Sequence, residues 1–424
     1  LVWNRENGGT DAYEAMKKKK LIVIGGGAAG FFCAVNAAKN NPQLEVTILE
    51  KTHRLLSKVS VSGGGRCNVT HACFDPDDMS KQYPRGGRMM KHLLHTFGPT
   101  ETIQWFQQRG IELVTEPDGR MFPTTNTSKT IVDCLLREAE KYQVSVVLRK
   151  EVVEIEWKEG FLVTTSDGHR QQADFVCVAS GGYPKLEQFK WLQKLGHHIE
   201  VPVPSLFTFN IPDEDLRRLM GISVNPAGIA LEGSRLKEEG PLLITHWGIS
   251  GPAALRLSAF AARKLADMHY TGTLKINWIP SYHETALREQ WPQWRKQFGG
   301  QKVAARSPFT LPTRLWQYLL GKAGVAADKS WADVSSAEQN RLIQLLLNTT
   351  YSFKGKTTFK EEFVTCGGIA LNEIHPQTME SKMVPGLFFC GEVVDVDGVT
   401  GGFNFQHAWA SGWTVAQAIV NKCQ

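Results

Sequence analysis

The sequence predicts an α/β chain in which a nucleotide-binding domain is interrupted by a β-rich piece and then a helical piece. Three observations carry that prediction. The run "KLIVIGGGAAGFFCAVNAAKN" (20–40) is a β-branched strand, a glycine turn and a small-residue helix in succession. A second glycine cluster, "VSGGGRCNVT", stands at 61–70. The same strand-and-glycine style returns at "FVTCGGIALNEI" (363–374), after a long stretch of different character. At 424 residues the chain is too long for one ordinary core. We therefore expect a discontinuous nucleotide domain at 16–194 and 356–424, a β-rich insert at 195–282 and a helical insert at 283–355. The residues ahead of Met16 read as upstream sequence.

The first strand, turn and helix are followed by "EVTILEK" (45–51), a second strand ending near Glu50, which completes a βαβ unit. Gly25, Gly27 and Gly30 fit G-x-G-x-x-G with strand before and helix after. The first glycine makes the tight turn, the second lets backbone approach a pyrophosphate, and the third allows close helix–strand packing. The helix N-terminus, with Ala28 and Ala29, supplies partial positive charge to an anion. Glu50 falls where an acid accepts from ribose hydroxyls, with Lys51 beside it. These residues predict dinucleotide binding. The "KKKK" run at 17–20 and the apolar strand superficially resemble a leader peptide, but the glycine turn argues against it.

Farther along, residues 98–148 read as helical, interrupted by "EPDGRMFPTTNTS". Residues 145–168 read as a hairpin, and "ADFVCVASGG" (173–182) as a strand running into small residues. Proline-punctuated "VPVPSLFTFNIP" signals exit into another domain, where "GPLLITHWGISGP" suggests short strands. "SSAEQNRLIQLLLN" typifies the helical piece. The C-terminal stretch 386–419 holds a buried strand, a Gly391–Glu392 turn, a Gly401–Gly402 loop and a helix beginning near Asn404, Phe405 and Gln406. A helix returning from so far away suits FAD, whose ribityl and ring system extend beyond the first pyrophosphate site. Its N-terminus stabilises negative charge on a reduced ring, and Gly402 lets backbone lie against that ring.

Composition is that of a soluble globular protein: 42% hydrophobic, 21% charged, mean hydropathy −0.24. The net charge of +6 permits an anionic ligand without implying nucleic acid, since no basic stripe with interleaved aromatics appears. No apolar stretch reaches transmembrane length. Eight scattered cysteines without C-x-x-C or zinc spacing fit a reducing cytoplasm and no metal site. His197–His198 lack further ligands at metal spacing and read as surface or packing residues.

The motifs "GGGAAGFFCA", "SGGGRCNVT", "GRMFPTTNTSKTIVDCL", "THWGISGPAALRLS", "VTCGGIALNEI", "TMESKMVPGLFFCGEVVDVDG" and "TGGFNFQHAWASG" together resemble the bacterial FAD-dependent oxidoreductase family that includes aminoacetone oxidases and bile-acid-pathway flavoproteins. The resemblance runs from about residue 20 to the C-terminus. It implies a glutathione-reductase-type Rossmann-like FAD-binding domain with inserted β-barrel-like and helical domains. It also implies that Ser62, Gly63, Gly64 and Gly65 present backbone amides to the flavin. The backbone of Val152 would meet adenine, and Ser180–Gly181 would form a second small-residue approach. Two departures stand out: Leu56-Ser57-Lys58 replaces the family's Gly-Arg-Lys, and "KLEQFKWLQ" follows "ASGGYP" where a glycine-rich run is usual. The second departure puts any contact carried by that loop in doubt.

With no dithiol motif and no second dinucleotide fingerprint, two reaction styles remain open. One is an oxidase acting on an amine or similar donor. The other is a reductase in which NAD(P)H visits transiently and a C=C or C=N acceptor follows. The expected substrate is a small organic molecule. His246 is a candidate for proton transfer or a turn-bonded histidine. Arg66 is a candidate anion clamp or a salt-bridge residue. Lys58 lies near the flavin or in solvent, and Cys67 reads as structural. The alternative reading is a flavin-binding interaction or RNA-associated protein without independent turnover, which the basic pI of about 8.8 motivates.

Overall fold

The computed structural model describes residues 18–358 and 364–424. The expected domain start at Met16, and everything ahead of it, lies outside the described residues. Five parallel strands form the first sheet, in the order Leu387–Phe389, Phe175–Val178, Lys20–Ile24, Glu45–Glu50, Ser145–Leu148. Leu21 to Ile24 are all buried, as a central parallel strand covered on both faces requires. Ile22 pairs with Val176 on one side and Thr47 on the other. Ser145–Leu148 is the parallel edge of this sheet rather than a hairpin arm. The hairpin forms instead from Val152–Trp157 and Phe161–Thr165, with Arg170–Ala173 as a third strand.

The first helix, Ala28–Asn40, packs against the C-terminal helix, Phe403–Cys423. Phe32 anchors the contact, its ring 4.6 Å from Trp105, 5.2 Å from Trp409 and 5.3 Å from Phe97. Both indoles find acceptors, Trp105 at Asn36 Oδ1 (3.0 Å) and Trp409 at the Val69 carbonyl (2.9 Å), so neither N–H is buried unpaired. Between the helices Pro99–Gln107 and Lys129–Lys141, the region 98–148 contains an antiparallel pair, Leu113–Thr115 with Arg120–Pro123. Thr70–His71 adds a third strand to it.

The inserted region has its own core. A seven-stranded sheet runs in the order Thr349–Lys354, Thr271–Asn277, Ser223–Leu231, Lys237–Ile244, Gly248–Ser250, Thr208–Asn210, Lys356–Thr357. Residues 349–354, which the sequence places at the tail of the helical piece, are therefore a strand of this sheet. Helices Glu284–Phe298, Thr313–Lys322 and Ser336–Asn348 cover it, and Trp278, Trp291, Trp316 and Trp331 are buried there. The last of these helices starts where "SSAE" predicts. Ser335 Oγ accepts from the Glu338 N–H (3.3 Å), and the Glu338 carboxylate accepts from the Ser335 N–H (2.8 Å).

The two cores meet at a buried ionic joint. Arg85 Nε donates to Asp397 Oδ1 (2.6 Å), and its Nη2 donates to the other carboxylate oxygen. Arg85 Nη1 reaches the Ala259 carbonyl in the inserted region, and Ser205 Oγ donates to Asp397 (2.9 Å). Arg263 pairs with Asp395 nearby (2.8 Å). Asp397 is fully buried, so Asp397→Asn leaves the Arg85 charge uncompensated in the interior. We expect that substitution to cost about 3 kcal/mol or more and to lower the thermal midpoint measured by calorimetry.

Candidate functional site

A cavity of about 780 Å³ lies where the first sheet, the second glycine cluster, the C-terminal helix and the inserted sheet converge. Its floor is the first glycine turn. Gly25 has φ +116°, and a Cβ there would stand 2.3 Å from the Ala179 carbonyl oxygen. A Cβ on Gly30 would stand 2.0 Å from the Gly25 carbonyl oxygen, so the third glycine is consumed by packing and does not line the cavity. At Gly27 nothing lies within 4 Å of the missing Cβ, leaving open space over the helix start. Gly25, Gly27, Ala28 and Ala29 all line the cavity. The first N–H groups of the helix have no intrahelical acceptor, which makes this end an anion cradle.

Glu50 and Lys51 line one end. The Glu50 carboxylate accepts from the Gly26 N–H and the Thr52 N–H, each at 2.8 Å, and so fixes the turn while keeping lone pairs for a ligand. Lys51 Nζ lies 5.1 Å from the centre of the Tyr183 ring. Ser180 and Gly181 line the wall above the turn. Val152 does not: it is buried at the start of its strand, paired with Thr165. The segment just ahead of it is the one tied to the cavity's end, through Arg149 N–H to the Thr52 carbonyl and Lys150 N–H to the Glu50 carbonyl.

The second glycine cluster closes another side. The helical segment Ser57–Gly65 breaks at Ser62 (ψ 149°) and continues left-handed through Gly63 (φ 58°) and Gly64 (φ 69°). Side chains there would be strained, which accounts for the run of glycines. Lys58, Ser62, Gly63, Gly64 and Arg66 line the cavity, whereas Gly65 turns away to accept from the Ser128 N–H (2.8 Å). Lys58 Nζ meets Glu392 at 2.5 Å, and the other Glu392 oxygen accepts from the Thr365 N–H (2.8 Å). Arg66 pairs with Glu116 (2.7 Å) and lies over the Phe122 ring, 4.0 Å from its centre. Cys67 is fully buried, and burial pushes its thiol up to about 12, so it is an inert packing group.

The start of the C-terminal helix supplies the far wall. Gly391, Glu392, Gly402, Asn404 and Phe405 line the cavity. The Asn68 amide, oriented to satisfy both neighbours, accepts from the Gly402 N–H and donates to the Thr70 carbonyl, each at 3.0 Å. Gln406 is not part of the site. Its amide oxygen accepts from Thr70 (2.7 Å) and Thr102 (2.9 Å), and its nitrogen donates to the Phe97 carbonyl (3.0 Å). Helical phase explains the difference, since Asn404, His407 and Ala408 share the cavity face and Gln406 lies off it.

His407 went unnoticed in the sequence, although its spacing of three from Asn404 signals the shared face. It is 2% exposed, and its Nε2 has no hydrogen-bond partner among the described residues. Burial holds its ring down to about 3, so it is neutral at working pH. His246, the other histidine of interest, is not among the residues that line the cavity. It sits in an exposed tight turn in which Thr245 N–H donates to the Gly248 carbonyl (2.7 Å), its ring 4.7 Å from that of Trp247. The inserted sheet instead offers Thr208, Ser250 and Thr357, with Leu206 and Leu255. Thr208 Oγ1 donates to Ser250 Oγ at 2.8 Å.

His197 is likewise buried packing, held between Glu373 (3.0 Å) and Ser381 (3.1 Å). Among the described residues no group of three or more His, Cys, Asp or Glu is arranged to hold a metal ion, and no helix is long and apolar enough to cross a membrane.

Comparison with known proteins places this geometry in context. The family described as HI0933-like protein Rossmann domain matches residues 19–418. The ribosomal RNA dihydrouridine synthase of Escherichia coli (strain K12) is 31% identical over 401 residues, covering 92% of this chain and 95% of that protein. The 3-dehydro-bile acid delta(4,6)-reductase of Clostridium scindens is 26% identical, covering 93% and 97%. Among solved structures, 3-ketosteroid delta1-dehydrogenase from Sterolibacterium denitrificans superposes with TM-score 0.51 at 11% identity, covering 95% of this chain and 99% of that chain, a likeness of fold.

The depressed His407 value has a thermal consequence. An unfolded histidine titrates near 6.5, so only the unfolded chain takes up this proton between about pH 6.5 and 3. The stability gained from the neutral ring is complete above that window and is lost as pH falls through it. His407→Gln removes the contribution. We expect the thermal midpoint of the wild type to fall more steeply than that of the variant between pH 6.5 and 4.

Proposed function

We propose, starting from the fact that this chain belongs to the HI0933-like Rossmann family, that it is a FAD-dependent oxidoreductase which reduces a carbon–carbon double bond conjugated to a carbonyl. The observation that carries the cofactor reading is the convergence of two helix N-termini, at Ala28 and at Phe403, on one cavity floored by glycine backbone. The open space where side chains would stand at Gly27 and Gly64 fits such a ligand. FAD supplies, when bound, the two-electron chemistry that none of these side chains provides.

The protein's share is placement. The amides at the start of the first helix hold the pyrophosphate, and the Glu50 carboxylate accepts from the ribose. The amides at Phe403–Phe405 stabilise charge on the ring system. Lys58, locked to Glu392, closes the wall between them.

The reaction class rests on two relatives that span nearly the whole chain. One is named for making dihydrouridine, which is uridine with two hydrogens added across its C5–C6 bond, and the other for reducing delta(4,6) double bonds. Both act on a double bond in conjugation with a carbonyl. The higher identity and the positive net charge favour a uracil base of ribosomal RNA as this chain's substrate. The sequence held RNA association only as the alternative reading, because it carries no dense basic stripe with interleaved aromatics. The hydroxyls of Thr208 and Ser250 and the apolar Leu206 and Leu255 suit a planar base with a polar edge. A nicotinamide nucleotide is the proposed electron donor.

The test is direct. The purified protein is expected to carry FAD. Supplied with NADH, NADPH or chemical reductant and with unmodified ribosomal RNA transcript, it is expected to add two hydrogens to a uridine, read by nucleoside mass spectrometry. A protein that neither contains FAD nor takes it up on reconstitution refutes the cofactor. Flavin-dependent consumption of oxygen with small amines, and no change in RNA, refutes the reaction class.

A further inference from the structure

We propose that Arg66 and Arg120 form a phosphodiester clamp at the cavity margin, with Glu116 occupying the anion's place until a polynucleotide arrives. The proposal rests on the RNA reading above and deepens it.

Two chain segments far apart in sequence build the cluster. Arg66 follows the second glycine cluster, and Arg120 opens a strand of the small hairpin whose turn holds Glu116 and Asp118. Both arginines line the cavity. Both guanidinium groups lie against the buried Phe122 ring, with their central carbons 4.0 and 5.4 Å from its centre. Such stacking orients a planar cation and leaves its N–H edge for an anion.

Glu116 divides its two oxygens between them, Oε1 to Arg66 Nη1 (2.7 Å) and Oε2 to Arg120 Nη2 (2.8 Å). Arg66 Nε is also tied to the Gly63 carbonyl (3.2 Å), which couples the cation to the cavity wall. Arg120 Nε is tied to Asp118 (2.7 Å). Among the described residues, each guanidinium thus uses two of its five N–H donors on acceptors and keeps the rest unused.

One carboxylate holding two cations with separate oxygens has the donor arrangement that a phosphodiester, whose two non-bridging oxygens share one negative charge, takes over. The side chains are neither buried nor fully solvated: Arg66 and Glu116 are each 29% exposed and Arg120 is 37% exposed. The exchange of carboxylate for phosphate is therefore open to a ligand from solvent. It also costs little, because partly exposed ion pairs contribute little stability.

The signature is a pair of opposite effects. Arg120→Gln is expected to raise the KM for RNA, or the Kd in a filter-binding assay, about tenfold, since it removes a hydrogen-bonded charge from the phosphate. It is also expected to reduce the slope of log affinity against log salt by about 0.7, one single-strand phosphate contact. Glu116→Gln removes the competitor and is expected to tighten RNA binding about threefold. A purely structural ion pair predicts that both variants weaken binding together.

FAD content and thermal midpoint are measured on each variant. Arg66→Lys, which keeps the charge, guards against a misfolded Arg120→Gln, and is expected to show intermediate RNA affinity. Two outcomes overturn the clamp: loss of RNA affinity in Glu116→Gln, or an unchanged salt slope in Arg120→Gln with a raised KM for NADH or NADPH, which assigns the arginines to the nicotinamide nucleotide's phosphates. Failure of the wild type to bind or alter RNA overturns the function reading instead, so the two failures are separable.

Discussion

The start of the first helix is pressed against backbone on three sides, and the rest of the molecule depends on that contact. A Cβ on Gly30 would meet the Gly25 carbonyl at 2.0 Å, one on Gly412 would meet the Ala29 carbonyl at 2.8 Å, and one on Gly391 would meet Ala29 Cβ at 2.7 Å. Protein interiors tolerate no such overlap, so glycine at these positions sets how near the C-terminal helix and the Gly391 turn approach the first helix. That proximity brings two helix N-termini to one cavity from opposite ends of the sequence. With any side chain at Gly412 the helices separate, and the wall formed by Asn404, Phe405 and His407 moves away from the floor.

A second consequence concerns charge. Several ionisable side chains around the cavity have partners within the chain: Lys58 with Glu392, Arg66 and Arg120 with Glu116, and Glu50 with backbone N–H groups. Where charges are matched in this way, main-chain amides and hydroxyls carry much of the polarity offered to a ligand. Amides in fixed geometry cost no reorganisation when a ligand's charge changes, whereas mobile lysines do. The His407 ring belongs to the same scheme, a neutral polar group in the wall at any pH near neutrality.

These facts explain what was legible in sequence. The first turn was fully readable, because strand, Gly25, Gly27, Gly30, helix and Glu50 are local and their spacing encodes the geometry directly. The return of the C-terminal helix was readable as glycine-rich style, but its rotation was not. One residue of helical phase separates Gln406, buried on Thr70 and Thr102, from His407 in the cavity wall. The exposure of His246 was not readable, because a histidine in a glycine-rich loop looks the same whether the loop faces a cavity or solvent. Arg120 was invisible as a site residue. It reaches the cavity only through the pairing of Leu113–Thr115 with Arg120–Pro123, in a stretch whose composition reads as a break between helices. Residues 349–354 were lost for a related reason: their partners, 271–276, lie more than seventy residues away.

The joint between the two cores gives the cavity its working form. Its floor belongs to the nucleotide-binding sheet, while Thr208, Ser250 and Thr357 belong to the inserted sheet, so the opening between them is set by whatever holds the two sheets in register. The buried Arg85–Asp397 pair ties the segment after the second glycine cluster to the loop before the C-terminal helix, and its third arm grips the Ala259 carbonyl. Asp397 lies six residues ahead of Phe403, and Ser205 lies three residues ahead of Thr208. One carboxylate thus bonds the approaches to both walls, Arg85 on one side and Ser205 on the other. Buried ion pairs contribute modestly to net stability, but they penalise every arrangement that separates them. The reach between floor and inserted wall is fixed before a ligand enters, and ordering that a binding partner would otherwise have to supply is already present in the folded chain.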